Sequence, residues 1–349
     1  MKIFNSYTNK LEEFIPIHKG KVSIYICGPT VYSYIHIGNA RPVIFFDTVR
    51  RYFEHRGYEV KFASNFTDVD DKIINRAIEL GQDEKELAEK YITAFLRDVE
   101  KVNSKTDYIK PKVTDYMDKI IEFIQELIDK GYAYAVEGDV YFRVNKVKEY
   151  GMLSNRNVDD LISGSRVEVN TKKENPLDFT LWKNTEVGIK FAAPFGAGRP
   201  GWHTECVAMI DNIFGEEIDI HGGGSGLLFP HHENEIAQSK ALHNHAIAKY
   251  WMHNGLLNIG GGKMSKSEGK VVLVKDLDID PNVFRLFTLS THYRAPINYT
   301  DETLQSFTKE WDKIIRVYKA IYLKLDLDDE LYGNAKLDPD LLLIYKSNY

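Results

Sequence analysis

The chain lacks any apolar run approaching the eighteen or so residues of a membrane span. Its opening, MKIFNSYTNKLEEF, has none of the continuous apolar core that a signal peptide carries. Both absences set the expected compartment as the cytoplasm, with no membrane partner. Cysteine is nearly missing too: Cys27 and Cys206 are the only two in 349 residues. A pair so far apart makes no disulfide framework, which turns attention to a metal or catalytic use. Positive charge is not in excess, because the net charge is −6. Any nucleic-acid partner must therefore be met by a local basic surface rather than by global attraction. There is no internal repeat and no low-complexity tract. What remains is 43% hydrophobic, enough for the cores of two or three domains at this length.

Read along the chain, Val22 to Ile26 (VSIYI) is a β-branched and aromatic run that stops at Cys27-Gly28-Pro29, so a strand ends in a loop. From His36 to Arg56, Val43, Phe46, Val49, Arg50 and Phe53 recur at spacings of three and four, with Gly57 as a stop: a helix. Glu59 to Phe62 reads as a second strand and Asp68 to Leu80 as a second helix ended by Gly81. This β-α-β-α order predicts an α/β fold with a Rossmann-like, doubly wound parallel sheet. Glu84 to Val102 and Thr114 to Lys130 are amphipathic helical stretches, and Tyr132 to Val144 reads as a hairpin about Glu137-Gly138-Asp139. The middle third, 103–196, is expected to be an inserted α+β region closing in the loop-rich APFGAGRPGW. Alternating elements resume at Ile218 to Ile220, and a helical segment follows Asp301.

Four clusters have the residue types for chemistry. HIGN (His36 to Asn39) opens a helix just after a strand. Helix N-terminal N–H groups, the missing side chain of Gly38, and imidazole and amide donors suit an ATP phosphate, though four residues alone fit an ordinary helix start as well. GGGKMSKS (Gly260 to Ser267) places Lys263 and Lys266 on a glycine-flanked loop able to close over phosphates, or simply to sit in solvent. In FPHHENE, His231 and Glu235 are i and i+4 and project from one helix face. With Cys27 and Cys206 they make a zinc set of two thiolates, an imidazole and a carboxylate, provided that the chain brings them together. Buried cysteines and an ordinary histidine are the plainer reading. Finally, Trp202 in GWHTEC and Thr67 in SNFTD can line a small-molecule pocket or a core.

Taken together, HIGN and KMSKS in this order resemble the two signatures of class I aminoacyl-tRNA synthetases. CGPTVYSYIHIGNAR, NFTDVDDKI, GRPGWHTEC, DIHGGG, FPHHENEIAQS and YWMHNG are similar to cysteinyl-tRNA synthetases in particular, over nearly the whole chain to about residue 300. The resemblance implies that Cys27, Cys206, His231 and Glu235 bind one Zn²⁺, at which a substrate thiolate is chosen over a serine hydroxyl. It also implies that Cys27, Gly28, Thr67 and Trp202 hold the amino acid. His36, Gly38, Asn39, Lys263 and Lys266 would hold ATP with its Mg²⁺, with His36, Asn39, Lys263 and Lys266 stabilising the transferring phosphoryl group. Its partners would be ATP, L-cysteine and the acceptor end of tRNA(Cys), and the chain a monomer.

The same resemblance divides the chain into 1–102 and 197–300 as halves of the catalytic domain, 103–196 as the connective insertion that meets the acceptor end, and 301–349 as the start of a helical bundle. An anticodon-binding domain is expected to be absent. Three local departures stand out: Gly226 where the family has aspartate after GGGS, Glu268 and Lys270 in the tail of the lysine loop, and HIGN for HIGH. Two further readings stay open at this point: a cysteine-activating paralogue with a small amine or carrier protein as acceptor, and a non-catalytic binding protein.

Overall fold

The computed structural model describes residues 1–156, 171–215, 217–259, 262–263 and 271–327. A hairpin of β1 (Lys2–Asn5) and β2 (Lys10–Glu13) opens the chain, followed by β3 (Lys21–Ile26), α1 (Ile37–His55) and β4 (Glu59–Ser64). Then come α2 (Asp71–Leu80), α3 (Glu84–Lys101) and α4 (Met117–Asp129), and the strands β5 (Ala133–Val136), β6 (Asp139–Phe142), β7 (Phe179–Asn184) and β8 (Gly198–Pro200). α5 (Glu205–Phe214), β9 (Ile218–Gly224), α6 (Glu233–His243) and β10 (Ala248–Asn254) restore the alternation. The remainder is β11 (Leu257–Ile259), β12 (Gly262–Lys263), α7 (Pro281–Leu289), β13 (Ile297–Tyr299) and α8 (Asp301–Leu327).

The central sheet has the order β10-β9-β3-β4, with all three pairings parallel. Strand period two sorts its residues onto two faces. Ile24, Ile26, Ile220 and Met252 pack with Phe46 and Phe53 of α1, while Tyr25, Ala63 and Trp251 pack with the apolar sides of α4, α5 and α6. From β3 the chain moves outward through α1 to β4; from β9 it moves the other way through α6 to β10. The order therefore reverses between β3 and β9, and in such sheets ligands bind at the carboxyl ends of the strands flanking that reversal. Cys27 directly follows β3, and the Gly222-Gly223-Gly224 run closes β9.

Boundaries differ from the sequence reading where side chains compete for backbone groups. The second helix begins at Asp71, because Asp70 caps it by accepting from the Lys72 N–H, while Asp68 accepts from Thr114 instead. The stretch from Thr114 opens as a single 3₁₀ turn, and α4 starts at Met117. Gly81 takes a left-handed φ of 60° that ends α2. The hairpin turn rests on Glu137 and Gly138, with φ of 51° and 86°, as a right-twisted two-residue turn demands. Among the pairings that escaped the sequence reading are β1 with β2, and β6 with β7 and β7 with β8, which extend the β5–β6 hairpin into a four-stranded antiparallel sheet.

Candidate active site

The side chains of the thiol and histidine cluster come from several elements of the fold. Cys27 leaves β3, Cys206 lies in the first turn of α5, His231 and His232 lie in an irregular helical turn that runs into α6, and Glu235 lies in the first turn of α6. His221 projects from β9 and His253 from β10. Gly28 allows the closest approach: a Cβ there would sit 1.6 Å from the Asn65 carbonyl oxygen, and its own N–H donates to Asn65 Oδ1 at 2.8 Å.

The four residues singled out from the sequence meet in space. Cys27 Sγ lies 3.4 Å from Cys206 Sγ, 3.4 Å from His231 Nε2 and 3.4 Å from Glu235 Oε1. His231 Nε2 is 3.8 Å from Cys206 Sγ and 2.9 Å from Glu235 Oε1. Ligands about 2.0–2.3 Å from a tetrahedral zinc stand about 3.3–3.8 Å apart, so the set fits the ion with a small widening at the His231–Glu235 edge. A second set, Cys27, His221, His232 and Glu235, is also close enough to share a cation. The first set has two thiols and matches zinc better; in the second, His221 already ties Glu235 Oε2 at 2.7 Å and the Tyr25 carbonyl at 2.8 Å.

Proton affinities follow from this crowding. Burial alone would drive the His231 ring down, but Glu235 and Cys206 beside it raise it to about 10. Burial works against ionised Glu235, yet His231, His221 and His232 together hold its carboxyl well below the usual range. Burial, and then the Cys206 sulfur, push the Cys27 thiol up, whereas the bond received from Cys27 brings Cys206 down to about 7 against its own burial. A buried network of this charge is one in which a divalent cation displaces protons.

Neighbouring residues pack around the cluster. Trp202 stacks on His231 with ring centroids 4.3 Å apart and an interplanar angle of 25°. The buried Thr67 hydroxyl donates to Glu205 Oε2 at 2.7 Å, and burial raises the Glu205 carboxyl well above its usual range despite that bond. His203, whose ring lies 3.1 Å from His231 through their Nδ1 atoms, is depressed to about 3 by burial and then by His231. Glu205, His203, His221, His232 and His253 were not singled out from the sequence. All lie inside or beside the quoted motifs, but only His231 had a spacing that pointed to a partner.

On the other side of the crevice, His36 caps α1. Its Nδ1 accepts from the Asn39 N–H at 3.2 Å, and Asn39 Oδ1 accepts from the His36 N–H at 3.3 Å. A cavity of about 380 Å³ runs from this helix end to Cys27, lined by Cys27, Gly28, His36, Gly38, Asn39 and Gly224 among others. Gly226 also lines it, and a Cβ at that position would meet nothing within 4 Å. The backbone of Lys263 lies in β12, paired with Asn258 of β11; Lys266, Glu268 and Lys270 lie outside the described residues. The segment after the lysine loop returns to the same helix end, for Ile37 N–H donates to the Val272 carbonyl and Val274 N–H to that of Ile35. HIGN and the flanks of KMSKS are thus neighbours.

A parallel sheet whose reversal point joins these two flanks defines a class I aminoacyl-tRNA synthetase, and the profile of the tRNA synthetases class I (C) catalytic domain matches residues 13–309. The fold is shared with methionyl-tRNA synthetase of Mycobacterium tuberculosis in complex with methionyl-adenylate, at a TM-score of 0.63 and 16% identity over 82% of this chain and 67% of that one. An Agrobacterium radiobacter leucyl enzyme, in its ternary complex, gives a TM-score of 0.62 at 11% identity over 88% and 73%. Sequence similarity is closer to the cysteine–tRNA ligases. That of Acholeplasma laidlawii is 56% identical over 316 residues, 90% of this chain and 73% of its own, and that of Staphylococcus carnosus 54% identical over 336 residues, 94% and 72%. The chain belongs to the cysteine–tRNA ligase family.

Proposed function

We infer that this chain activates cysteine with ATP and ligates it to the 3′ end of tRNA(Cys). The observation that carries the reading is the meeting of Cys27, Cys206, His231 and Glu235 at one end of a cavity that Cys27 lines and that reaches the capped end of α1. In this reading those four residues hold one Zn²⁺, which when bound supplies a Lewis-acidic position matched to a thiolate and poorly matched to the hydroxyl of serine. The site thus discriminates at binding, where an unmatched partner is costly. Trp202 forms the wall over His231, and Gly28 admits the amino acid beside the thiols. The Thr67 hydroxyl is engaged by Glu205, so Thr67 acts by shaping the pocket floor.

His36, Gly38 and Asn39 cradle the phosphates of Mg-ATP at a helix N-terminus, and Lys263 and Lys266 neutralise charge as the cysteine carboxylate attacks the α-phosphorus. Cysteinyl-adenylate forms and pyrophosphate leaves. The terminal adenosine hydroxyl of tRNA then takes the acyl group. Residues 1–102 and 197–300 serve as the two catalytic halves, 103–196 receives the acceptor end, and the segment from 301 starts the helical region. The chain works as a monomer in the cytoplasm; no helix among the described residues is long and apolar enough to cross a membrane.

The test is charging of tRNA(Cys) with labelled cysteine by the purified chain, with serine as control. Cysteine-selective, ATP-dependent label in tRNA is the expected outcome. Absence of charging, together with absence of cysteine-dependent exchange of pyrophosphate into ATP, would overturn the reading.

A further inference from the structure

Cys27 and Cys206 differ in what they face. Cys27 is half-buried and lines the cavity, whereas Cys206 is 2% exposed behind it. Their sulfurs stand 3.4 Å apart, and a disulfide bond of about 2.05 Å requires them to approach by only about 1.4 Å. The two belong to different elements, the end of β3 and the first turn of α5, and are 179 residues apart in sequence. A cysteine that lines the cavity, backed by a buried partner at near-bonding distance, is the arrangement of a dithiol that resolves mixed disulfides. The cavity that leads to Cys27 is, on the reading above, the one shaped for cysteine.

We propose that Cys27 and Cys206 act as a dithiol toward cystine, the disulfide of the substrate, and that this exchange reversibly closes the site. The inference rests on the cysteine-binding reading of the cavity. Cys27, giving up its thiol proton as it reacts, attacks one sulfur of cystine through its Sγ; the S–S bond of cystine breaks and the first cysteine leaves as a thiolate that takes up that proton. Cys206 then attacks the Cys27 sulfur of the mixed disulfide and expels the second cysteine, which is protonated likewise. Cystine gains two electrons, the protein pair loses two, and the two thiol protons end on the two released cysteines. His231 and Glu235 are left as the only members of the four-residue set still able to hold a cation. Oxidised substrate thereby disables the site and low-molecular-weight thiols restore it, so the state of the enzyme follows the ratio of cysteine to cystine.

The chemistry is directly readable, because no other cysteine exists in the chain. The zinc-loaded full chain is incubated with cystine, followed by intact-mass measurement, thiol titration and colorimetric detection of released zinc. The expected result is a chain two hydrogens lighter with no titratable thiol and its zinc released, all reversed by reductant and added zinc. Cys206→Ser is expected to stop one step earlier, carrying one disulfide-linked cysteine. Both thiols still titratable in the wild-type chain after cystine treatment would overturn the inference, whatever the variant does. A wild-type chain that stays at the mixed disulfide would overturn it equally, since Cys206 would then not resolve. Cysteine-dependent pyrophosphate exchange on the reduced sample separates the two failures: exchange without disulfide formation removes the dithiol and leaves the cysteine reading standing.

Discussion

His231 is held on three sides: Trp202 lies flat on its ring, Glu235 accepts at one nitrogen and His203 meets the other. Such a residue is positioned before any ligand arrives, and the same holds for Cys27 and Cys206. Cys27→Ser and Cys206→Ser are each expected to lower zinc content and cysteine activation together, roughly 10-fold or more, since each removes a thiolate from the set. Metal analysis decides it, and full occupancy in both variants would sink the ligand assignment. The histidines behind them set a pH limit. His253 is buried and depressed from 6.5 to about 3, first by burial and then by His221. Below pH 6.5 the unfolded chain takes up a proton there that the folded chain refuses. Stability from this group is complete above 6.5 and falls as acid is added, by roughly 1.4 kcal/mol per pH unit down to about 3. Urea midpoints at pH 7 and pH 5 are expected to differ less in His253→Gln than in the parent chain; equal differences would count against it. At this scale the sequence was readable where scarcity or spacing marked a residue. His231 and Glu235 announce each other, while Glu205, one residue before a cysteine already singled out, has no periodic partner to flag it.

At the scale of elements, the glycine after β3 matters as much as the cysteine before it. The Asn65 carbonyl occupies the space of a side chain at position 28. Gly28→Ala must therefore push β3 and the loop after β4 apart, carrying Cys27 off its 3.4 Å distances. The expected outcome is a loss of zinc with every proposed ligand still present, read by metal analysis on folded protein. Undiminished zinc would show that the loop yields without moving Cys27. α1 is tied to the far half of the chain by Arg41, 2% exposed, which donates to the carbonyls of Leu256, Tyr293 and Ala295. Helices α1 and α3 were legible because their apolar residues recur at helical spacing, and strand β3 because an unbroken β-branched and aromatic run stops at a turn. β8 was not, because glycine and proline at Gly198, Pro200 and Gly201 look like loop. Those glycines are instead where strands come too close for a side chain: a Cβ at Gly201 would sit 2.0 Å from the Thr180 carbonyl.

Across the whole molecule, the four residues of the cluster come from positions 27, 206, 231 and 235, so a cation held there cross-links both halves of the sheet. A ligand that binds only the folded state at one hundred times its dissociation constant adds about 2.7 kcal/mol. Stripping zinc with a chelator is expected to lower the melting temperature by roughly 5–10 °C, in a calorimetric scan that added zinc restores. An unchanged transition would mean that the cluster is already fully braced by its own hydrogen bonds. The order HIGN before KMSKS made the class readable over more than two hundred residues of separation. Nothing in either motif revealed that residues 272–274 return to pair beside His36, because strand pairing between distant segments leaves no periodic trace in the intervening chain.

The cap on α1 has one more consequence. Because His36 Nδ1 accepts the Asn39 N–H, the neutral ring is fixed in the tautomer that carries hydrogen on Nε2. The imidazole therefore offers a donor at Nε2 in its neutral form as well as its protonated one, and only protonation disturbs the cap. A turn of helix chooses which nitrogen bears hydrogen, and a phosphate oxygen arriving at that end meets a donor without waiting for a change of pH.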